Sequence, residues 1–216
     1  MKKLIIFGTG LIAEVAEFYF RKDSAYQIHA FASAREFIKE DRYKGLPVLA
    51  FEELESTHPP SEYDMFVAIG YAKTNQVRQQ RYMEAKHKGY AFASYVSSRA
   101  TYYGTPVGAN CFILENNVIQ PFVSIGDNVT LWSGNHIGHH STIRDHCFIS
   151  SHVVVSGGCE IGENCFLGVN STLRDNVKLG KFVVVSPGAV VMKDCEDRCV
   201  VQPAESSHRV IRRNVI

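Results

Sequence analysis

Val107-Gly108-Ala109-Asn110-Cys111-Phe112 and then Ile113-Leu114-Glu115-Asn116-Asn117-Val118 open a run that can be cut into sixes, with no insertion, as far as Glu196. Fifteen hexads result, beginning with Val107, Ile113, Ile119, Ile125, Leu131, Ile137, Ile143, Ile149, Val155, Ile161, Leu167, Leu173, Leu179, Val185 and Val191. All are aliphatic. Position five of each hexad is small or compact, from Cys111 and Asn117 through Ser141 and Val153 to Ala189 and Cys195. Positions five and one are two residues apart, so on a strand they share a side and form one interior column. Position four is Asn in six hexads, Gly in three and His in three, residue types that enter the left-handed backbone region. Each hexad therefore reads as a short strand and a tight corner. A chain built this way stacks on itself as a parallel β-solenoid, and an alternating β-sandwich has no reason to hold an unbroken period of six.

The hexads resemble the hexapeptide-repeat, left-handed parallel β-helix family. That resemblance implies a triangular coil of three hexads, so that residues eighteen apart stack on successive coils. The repeat also accounts for the cysteines. Cys111, Cys147, Cys159, Cys165 and Cys195 all fall at position five, where a thiol serves as a small apolar filler. There is no CxxC pair, and the spacing follows the repeat rather than a zinc ligand pattern. Reduced thiols and a cytoplasmic location are expected.

Outside the repeat the composition is ordinary for a globular chain of 216 residues, with 23 Lys+Arg against 22 Asp+Glu. Nothing in that balance points to nucleic acid or an anionic membrane. No apolar run approaches the roughly 18 residues a bilayer span needs. Gly8-Thr9-Gly10, Glu14 and Glu17 interrupt what would be a signal-peptide core.

Lys3 to Phe7 reads as a buried strand, Leu11 to Phe20 as a helix, Ile28 to Phe31 and Met65 to Ile69 as further strands. Thr74 reads as the cap of a helix running to about Lys88, with Gly89 as its stop. Alternating strands and helices predict a Rossmann-like α/β domain with a parallel sheet. Gly8-Thr9-Gly10 and Ala13 give a Gly-x-Gly-x-x-Ala turn that can face a phosphate at a helix start. The dinucleotide fingerprint also wants a carboxylate after the second strand, and Ala32-Ser33-Ala34-Arg35 supplies none. A nucleotide diphosphate thus fits better than NAD, with Arg35 as an anion partner and Gly70-Tyr71 beside Gly8, Thr9 and Gly10 in the cradle. The expected division is an α/β nucleotide-sugar-binding domain over 1–96, a β-helix over 97–198 and a capping tail over 199–216.

His136, His139, His140, His146 and His152 lie within seventeen residues. The register argues against a metal site, because His140, His146 and His152 occupy position four of successive corners and point apart. His139 is the single histidine at position three. Gly157 stands eighteen residues on, one strand spacing of about 4.8 Å away. An imidazole next to a bare Gly157 N–H would pair a general base with an oxyanion donor, the requirements of acyl transfer.

An α/β segment followed by the hexad array is also similar to the bacterial sugar acyltransferases that include sialic acid O-acetyltransferases and bacillosamine-pathway N-acetyltransferases. His139-His140-Ser141-Thr142-Ile143-Arg144-Asp145 matches their stretch of His, an acidic residue, a Cys-like residue and Ile-Gly-Asp. Gly157-Gly158 before Ile161-Gly162-Glu163 matches their Gly-Gly before Ile-Gly-Glu. The resemblance implies that His139 is the base and that Gly157 donates its amide to the acetyl carbonyl. His140 departs from the family's acidic partner, which leaves His136 as a candidate to orient the base, and Phe148 stands where a second histidine is frequent. Also implied are a homotrimer with active sites between subunits, and acetyl-CoA along the solenoid near Gly157, Val169, Pro187 and Gly188. The expected activity is an acetyl-CoA-dependent, metal-free N-acetyltransferase acting on a nucleotide-linked amino sugar for surface glycans such as O-antigen. The alternatives are a sugar or sialic acid O-acetyltransferase, a non-catalytic nucleotide-binding scaffold and a metal-dependent hydratase.

Overall fold

The hydrophobic run after Lys3 forms the second strand of a sheet whose far edge is a hairpin that the sequence did not announce. In the computed structural model, which describes residues 3–204, β1 (Lys3–Phe7) lies between β2 (Gln27–Ser33) and β5 (Tyr63–Val67), all parallel. β4 (Leu46–Ala50) adds in parallel to β2, and β3 (Arg42–Tyr43) pairs antiparallel with β4, giving the order β3-β4-β2-β1-β5. Lys44 (φ 49°) and Gly45 (φ 80°) form that hairpin's two-residue turn, with both φ values positive as the twist of a tight hairpin requires. Helix α1 (Leu11–Asp23), the single turn α2 (Leu54–Thr57) and α3 (Gln76–His87) complete the α/β domain. The cap of α3 is Asn75, not Thr74. Lys73, Thr74 and Asn75 all take positive φ before the helix starts.

The repeat builds a left-handed parallel β-helix. Its rungs pair with those eighteen residues on, as in Val118↔His136↔Val154 and Ser124↔Thr142↔Glu160. Every position-four residue from Asn110 to Gly188 has φ between 57° and 80°, including Phe122 (66°) and Phe182 (59°). The corner geometry is thus imposed by the coil even where the side chain disfavours it. Position-one and position-five side chains fill the interior. The cysteines there do more than fill space, since the thiols of Cys111, Cys147 and Cys165 donate to the carbonyls of Gly126, Gly162 and Gly180 at 3.1, 3.0 and 3.1 Å.

The unbroken count fails in the last coil. Val191 still pairs with Leu173, but Leu179 bridges to Cys195 and Val184 pairs with Val200, so two residues are lost after Val191. Cys195 therefore stacks over Leu179 in the aliphatic column, half-buried, instead of sitting at position five. Asp194 leaves the left-handed region, which Arg198 enters with φ 63°. Most of the tail expected over 199–216 lies outside the described residues. No helix among the described residues is long and apolar enough to cross a membrane.

Three walls result, and they differ in what they present. One carries Ser124, Thr142, Glu160 and Lys178 outward and is polar. A second carries Val118, His136, Val154, Thr172 and Val190 and exposes its valines. The third begins at β6 (Tyr95–Val96), runs through Phe112, Thr130, Phe148 and Phe166, and is covered by the α/β domain. The Phe112 ring sits among those of Tyr19, Phe66 and Tyr95. The domain grips both corners that flank this wall. On one side Tyr19 Oη donates to Glu115 at 2.6 Å, and on the other Tyr82 Oη donates to Asp127 at 2.8 Å.

Candidate active site

His139 lies on the corner between the valine wall and the polar wall, exposed, with its backbone fixed from both sides. Its N–H donates to Gln120 Oε1 at 2.9 Å, and its carbonyl accepts from the Gly158 N–H at 2.8 Å. Gly157 is the stacked residue of the next coil. A Cβ on Gly157 would meet His139 Cε1, Nε2 and Nδ1 at 2.7, 2.8 and 3.2 Å. The imidazole thus occupies the space that a side chain at 157 would take.

The Gly157 amide is not bare. It donates to Asp175 Oδ1 at 3.0 Å, so the unshielded oxyanion donor expected from the sequence is capped by a carboxylate from the following coil. The same cap recurs elsewhere: Asp127 accepts from the Ala109 N–H, Asp145 from the Asp127 N–H and Asp197 from the Lys181 N–H. It is a device of the repeat rather than a local accident. An acidic residue at position three satisfies the position-three donor of the coil before it.

The ring of His139 has a partner that the spacing did not single out. His139 Nδ1 and His140 Nδ1 are 3.1 Å apart, with the two rings nearly perpendicular at 85°. His136, the candidate for orienting the base, instead stands half-buried on the valine wall between Val118 and Val154, with no hydrogen bond to His139. His146 and His152 occupy the other two corners. His152 stacks beneath Gly134. His146 is buried under α3, and its Nδ1 is 2.9 Å from Asn128 Nδ2. Burial foremost, then the Arg78 charge, holds the His146 imidazole below its usual pKa against the opposing pull of Asp145. Among the described residues no group of three or more His, Cys, Asp or Glu is placed to hold a metal.

The corner that contains His146 is sealed by α3. Arg78, fully buried, reaches the carbonyls of Gly70, Asn128, His146 and Cys147 at 2.8 to 3.3 Å, and its guanidinium lies 5.6 Å from the Phe148 ring. Burial draws its pKa down to about 10, which still leaves it charged at neutral pH. Asn75 adds two donor contacts, to the carbonyls of Asn164 and Cys165 at 3.1 and 3.0 Å. Phe148 is therefore a covered residue at the domain junction, stacked between Trp132 and Phe166 and packed by Tyr71, rather than a group near His139.

The residues expected to cradle a nucleotide are only partly together. Gly8 (φ 123°) is required by a backbone contact, because a Cβ there would lie 2.8 Å from the Ala68 carbonyl oxygen, and its N–H already donates to Ala32 O at 2.8 Å. Gly10 begins α1 in open space. Thr9 borders a cavity of about 360 Å³ with Phe37, Lys39, Glu40, Arg42 and Tyr43. Sequence reasoning missed those five residues, which ride on the β3–β4 hairpin and the loop before it. Arg35 is exposed and ion-paired with Glu53 rather than facing this cavity. Gly70 uses its carbonyl for Arg78, and Tyr71 packs on Phe148 and Phe166 at 5.1 and 4.8 Å. Val169, Pro187 and Gly188 lie at the corner between the covered wall and the valine wall, one corner away from His139 and Gly157. Within one chain, the two halves of the expected acetyl-CoA path do not meet.

Comparison with known proteins finds a match in each half of the chain. A profile described as bacterial transferase hexapeptide (six repeats) matches residues 105–139, 125–157, 140–175 and 158–193, and one described as PglD N-terminal domain matches residues 3–85. Among solved structures, the acetyltransferase domain of PglB from Neisseria gonorrhoeae superposes with a TM-score of 0.80 at 21% identity, over 94% of this chain and 100% of that one. The same domain is also known in complex with acetyl coenzyme A. PerB from Caulobacter crescentus, in complex with CoA and GDP-perosamine, superposes with a TM-score of 0.81 at 22% identity, over 93% of each chain. These structures share the fold of this chain. A search of curated protein sequences finds no match.

Proposed function

Because the chain joins a PglD N-terminal domain to a bacterial transferase hexapeptide array, we propose that it is an acetyl-CoA-dependent N-acetyltransferase acting on a nucleotide-linked amino sugar, with His139 as general base. The observation that carries this reading is His139 itself. It is an exposed imidazole on an uncovered corner, pinned through its backbone and accommodated by a glycine that leaves it room. In the reaction the sugar amine attacks the thioester carbonyl, forming a C–N bond. The amine proton passes to His139 Nε2 as the C–S bond breaks, and the CoA thiolate leaves and takes up a proton. An acyl carbonyl that uses the Gly157 amide as the oxyanion site does so by displacing Asp175.

The cavity beside Thr9 supports the acceptor class. Lys39 and Arg42 provide cations for a diphosphate, and Phe37 and Tyr43 provide rings for a base. That cavity belongs to the domain on the covered wall, whereas His139 lies on the opposite corner of the triangle. An acceptor held by one copy would therefore meet His139 of another. This supports the expected homotrimer, with the exposed valines of the second wall available to pack between copies. GDP-perosamine bound to a protein of the same fold makes a GDP-linked amino sugar the first acceptor to try. The enzyme would act in the cytoplasm, where acetyl-CoA and sugar nucleotides are made, as a supplier for surface glycans such as O-antigen.

The test is acetyl-CoA consumption against UDP-, dTDP- and GDP-linked 3- and 4-amino sugars and their hydroxy counterparts. Turnover on an amino sugar, with a loss of about 10²–10⁴-fold in His139→Ala, is the expected result. Turnover confined to hydroxy sugars would make the protein an O-acetyltransferase. Full activity in His139→Ala would remove the base.

A further inference from the structure

We propose that His140 is a positioning residue. Its Nδ1 accepts the Nδ1–H of His139 and so holds the base in the tautomer that leaves Nε2 free for the substrate proton. This rests on the reading of His139 as base, and it identifies what stands in for a carboxylate at this corner.

One proton lies between the two Nδ1 atoms, 3.1 Å apart, and it can sit on either ring. If His140 carried it, the neutral His139 would bear its own proton on Nε2 and could accept none from an amine. If His139 carries it, Nε2 keeps its lone pair, and His140 places its own N–H on Nε2, which is open to solvent because that residue is exposed.

A second histidine of the same repeat favours this assignment. His146 also occupies position four, with φ 64° against 59° for His140. Asn110 Nδ2 donates to Asn128 Oδ1 at 2.8 Å, so Asn128 has its Nδ2 left to donate, and it does so to His146 Nδ1 at 2.9 Å. A position-four histidine in this coil thus presents Nδ1 as an acceptor to a neighbouring side chain. Phe122, one coil before His140 in the same column, lies 4.7 Å from it at 38° between ring planes and gives the imidazole a shelf. With the His139 backbone held by Gln120 and Gly158 and its ring lying against Gly157, the Nδ1 contact fixes the remaining freedom, rotation of the ring. A neutral acceptor selects the tautomer without adding a charge. The proton taken at Nε2 during transfer leaves the Nδ1–H in place.

The backbone supplies its own control. Asn and Gly both accept the φ of 59° at position 140, and each fills position four elsewhere in the array. His140→Gly removes the acceptor and His140→Asn keeps one, Oδ1, without changing what the corner requires. His140→Gly should lower kcat by up to about 10²-fold, as mispositioning a reacting group does. KM for both substrates and the melting temperature should hold, and His140→Asn should restore most of the rate. Nitrogen-15 NMR of histidine-labelled protein should show His139 protonated at Nδ1 and bare at Nε2 in the wild type, and a mixture of tautomers in His140→Gly. A His139 that carries its proton on Nε2 in the wild type, or a His140→Gly protein with wild-type kcat and tautomer, would overturn the proposal. If His139→Ala keeps full activity, it is the reading of His139 as base that fails, because the NMR result does not depend on turnover.

Discussion

Two corners of the same triangle are written in the same vocabulary and have opposite fates. The corner with Asn110, Asn128, His146 and Asn164 is closed over by α3, and its side chains run in a ladder from the Val67 N–H through Asn110 and Asn128 to His146. The corner with Phe122, His139 and His140 is bare, with Phe122 75% exposed. Both hold a histidine at φ near 60°, and both have an acidic residue capping a position-three amide. The repeat makes the corners equivalent, and what lies against each decides whether its imidazole fills space or stays available for chemistry. Substitution at the covered corner should therefore cost stability, and substitution at the bare corner should cost turnover.

Arg78→Met offers the largest effect with which to break this contrast. The guanidinium is fully buried and satisfies carbonyls on both sides of the domain junction. Its loss leaves several buried acceptors unpaired, each costing about 1–3 kcal/mol. A destabilisation of about 2–5 kcal/mol, from two or three such losses together, is expected in denaturant melts of the full chain. Arg78→Lys should fall between, because an ammonium keeps the charge without the fork that spans several carbonyls. A wild-type melt for Arg78→Met would mean that the covered corner is not held by this side chain.

Gly157→Ala sharpens the other half. The φ of Gly157 is outside the left-handed region, so alanine costs the backbone little. The new Cβ would stand 2.7 Å from His139 Cε1, and the exposed imidazole would swing away. Turnover should fall by at least about tenfold, while stability should change by less than about 1 kcal/mol, because the atoms that the new methyl meets belong to an exposed ring that can move. Equal kcat values for the two proteins would show that the glycine does not set the position of the ring.

How much of this was legible in the sequence follows from what each feature answers to. The hexads were legible because an interior column two residues wide enforces spacing, and spacing is visible. His139 stood out because position three has no structural use for an imidazole. Arg78 gave no such sign, since an arginine in a twelve-residue helix with no apolar face reads as solvated, and only the carbonyls of a folded corner make it a core residue. The Asp175 cap was hidden for a similar reason, because a carboxylate eighteen residues on can point to solvent or to an amide with the same spacing. The His139–His140 contact joins adjacent positions, which a search for stacked pairs passes over. The shortened last coil escaped because Val191 keeps the aliphatic first position, and a small Cys195 suits either column. The β3–β4 hairpin lacks the alternation of a half-buried strand, so Lys39 and Arg42 went unplaced.

The smallest effect tests whether the covered histidine is neutral for the reason given. Asn128 Nδ2 donates to His146 Nδ1 at 2.9 Å, so a proton on Nδ1 would set donor against donor next to the buried Arg78. Burial, with Arg78 adding to it, depresses the folded-state pKa below the ordinary value of 6.5. The unfolded chain then binds a proton at a higher pH than the folded one. By linkage, stability is fully present above about pH 6.5 and is lost as pH falls from there towards the folded pKa. His146→Asn removes this titration, and asparagine suits the φ of 64° at that corner. Carboxylates elsewhere titrate in both proteins and cancel in the difference. The wild type should therefore lose more stability than His146→Asn between pH 7 and 5, by up to about 1.4 kcal/mol for each pKa unit of depression that falls in the window. Parallel stability curves would mean that His146 is as free to ionise as an exposed histidine, and the two corners would then differ in packing alone and not in electrostatics.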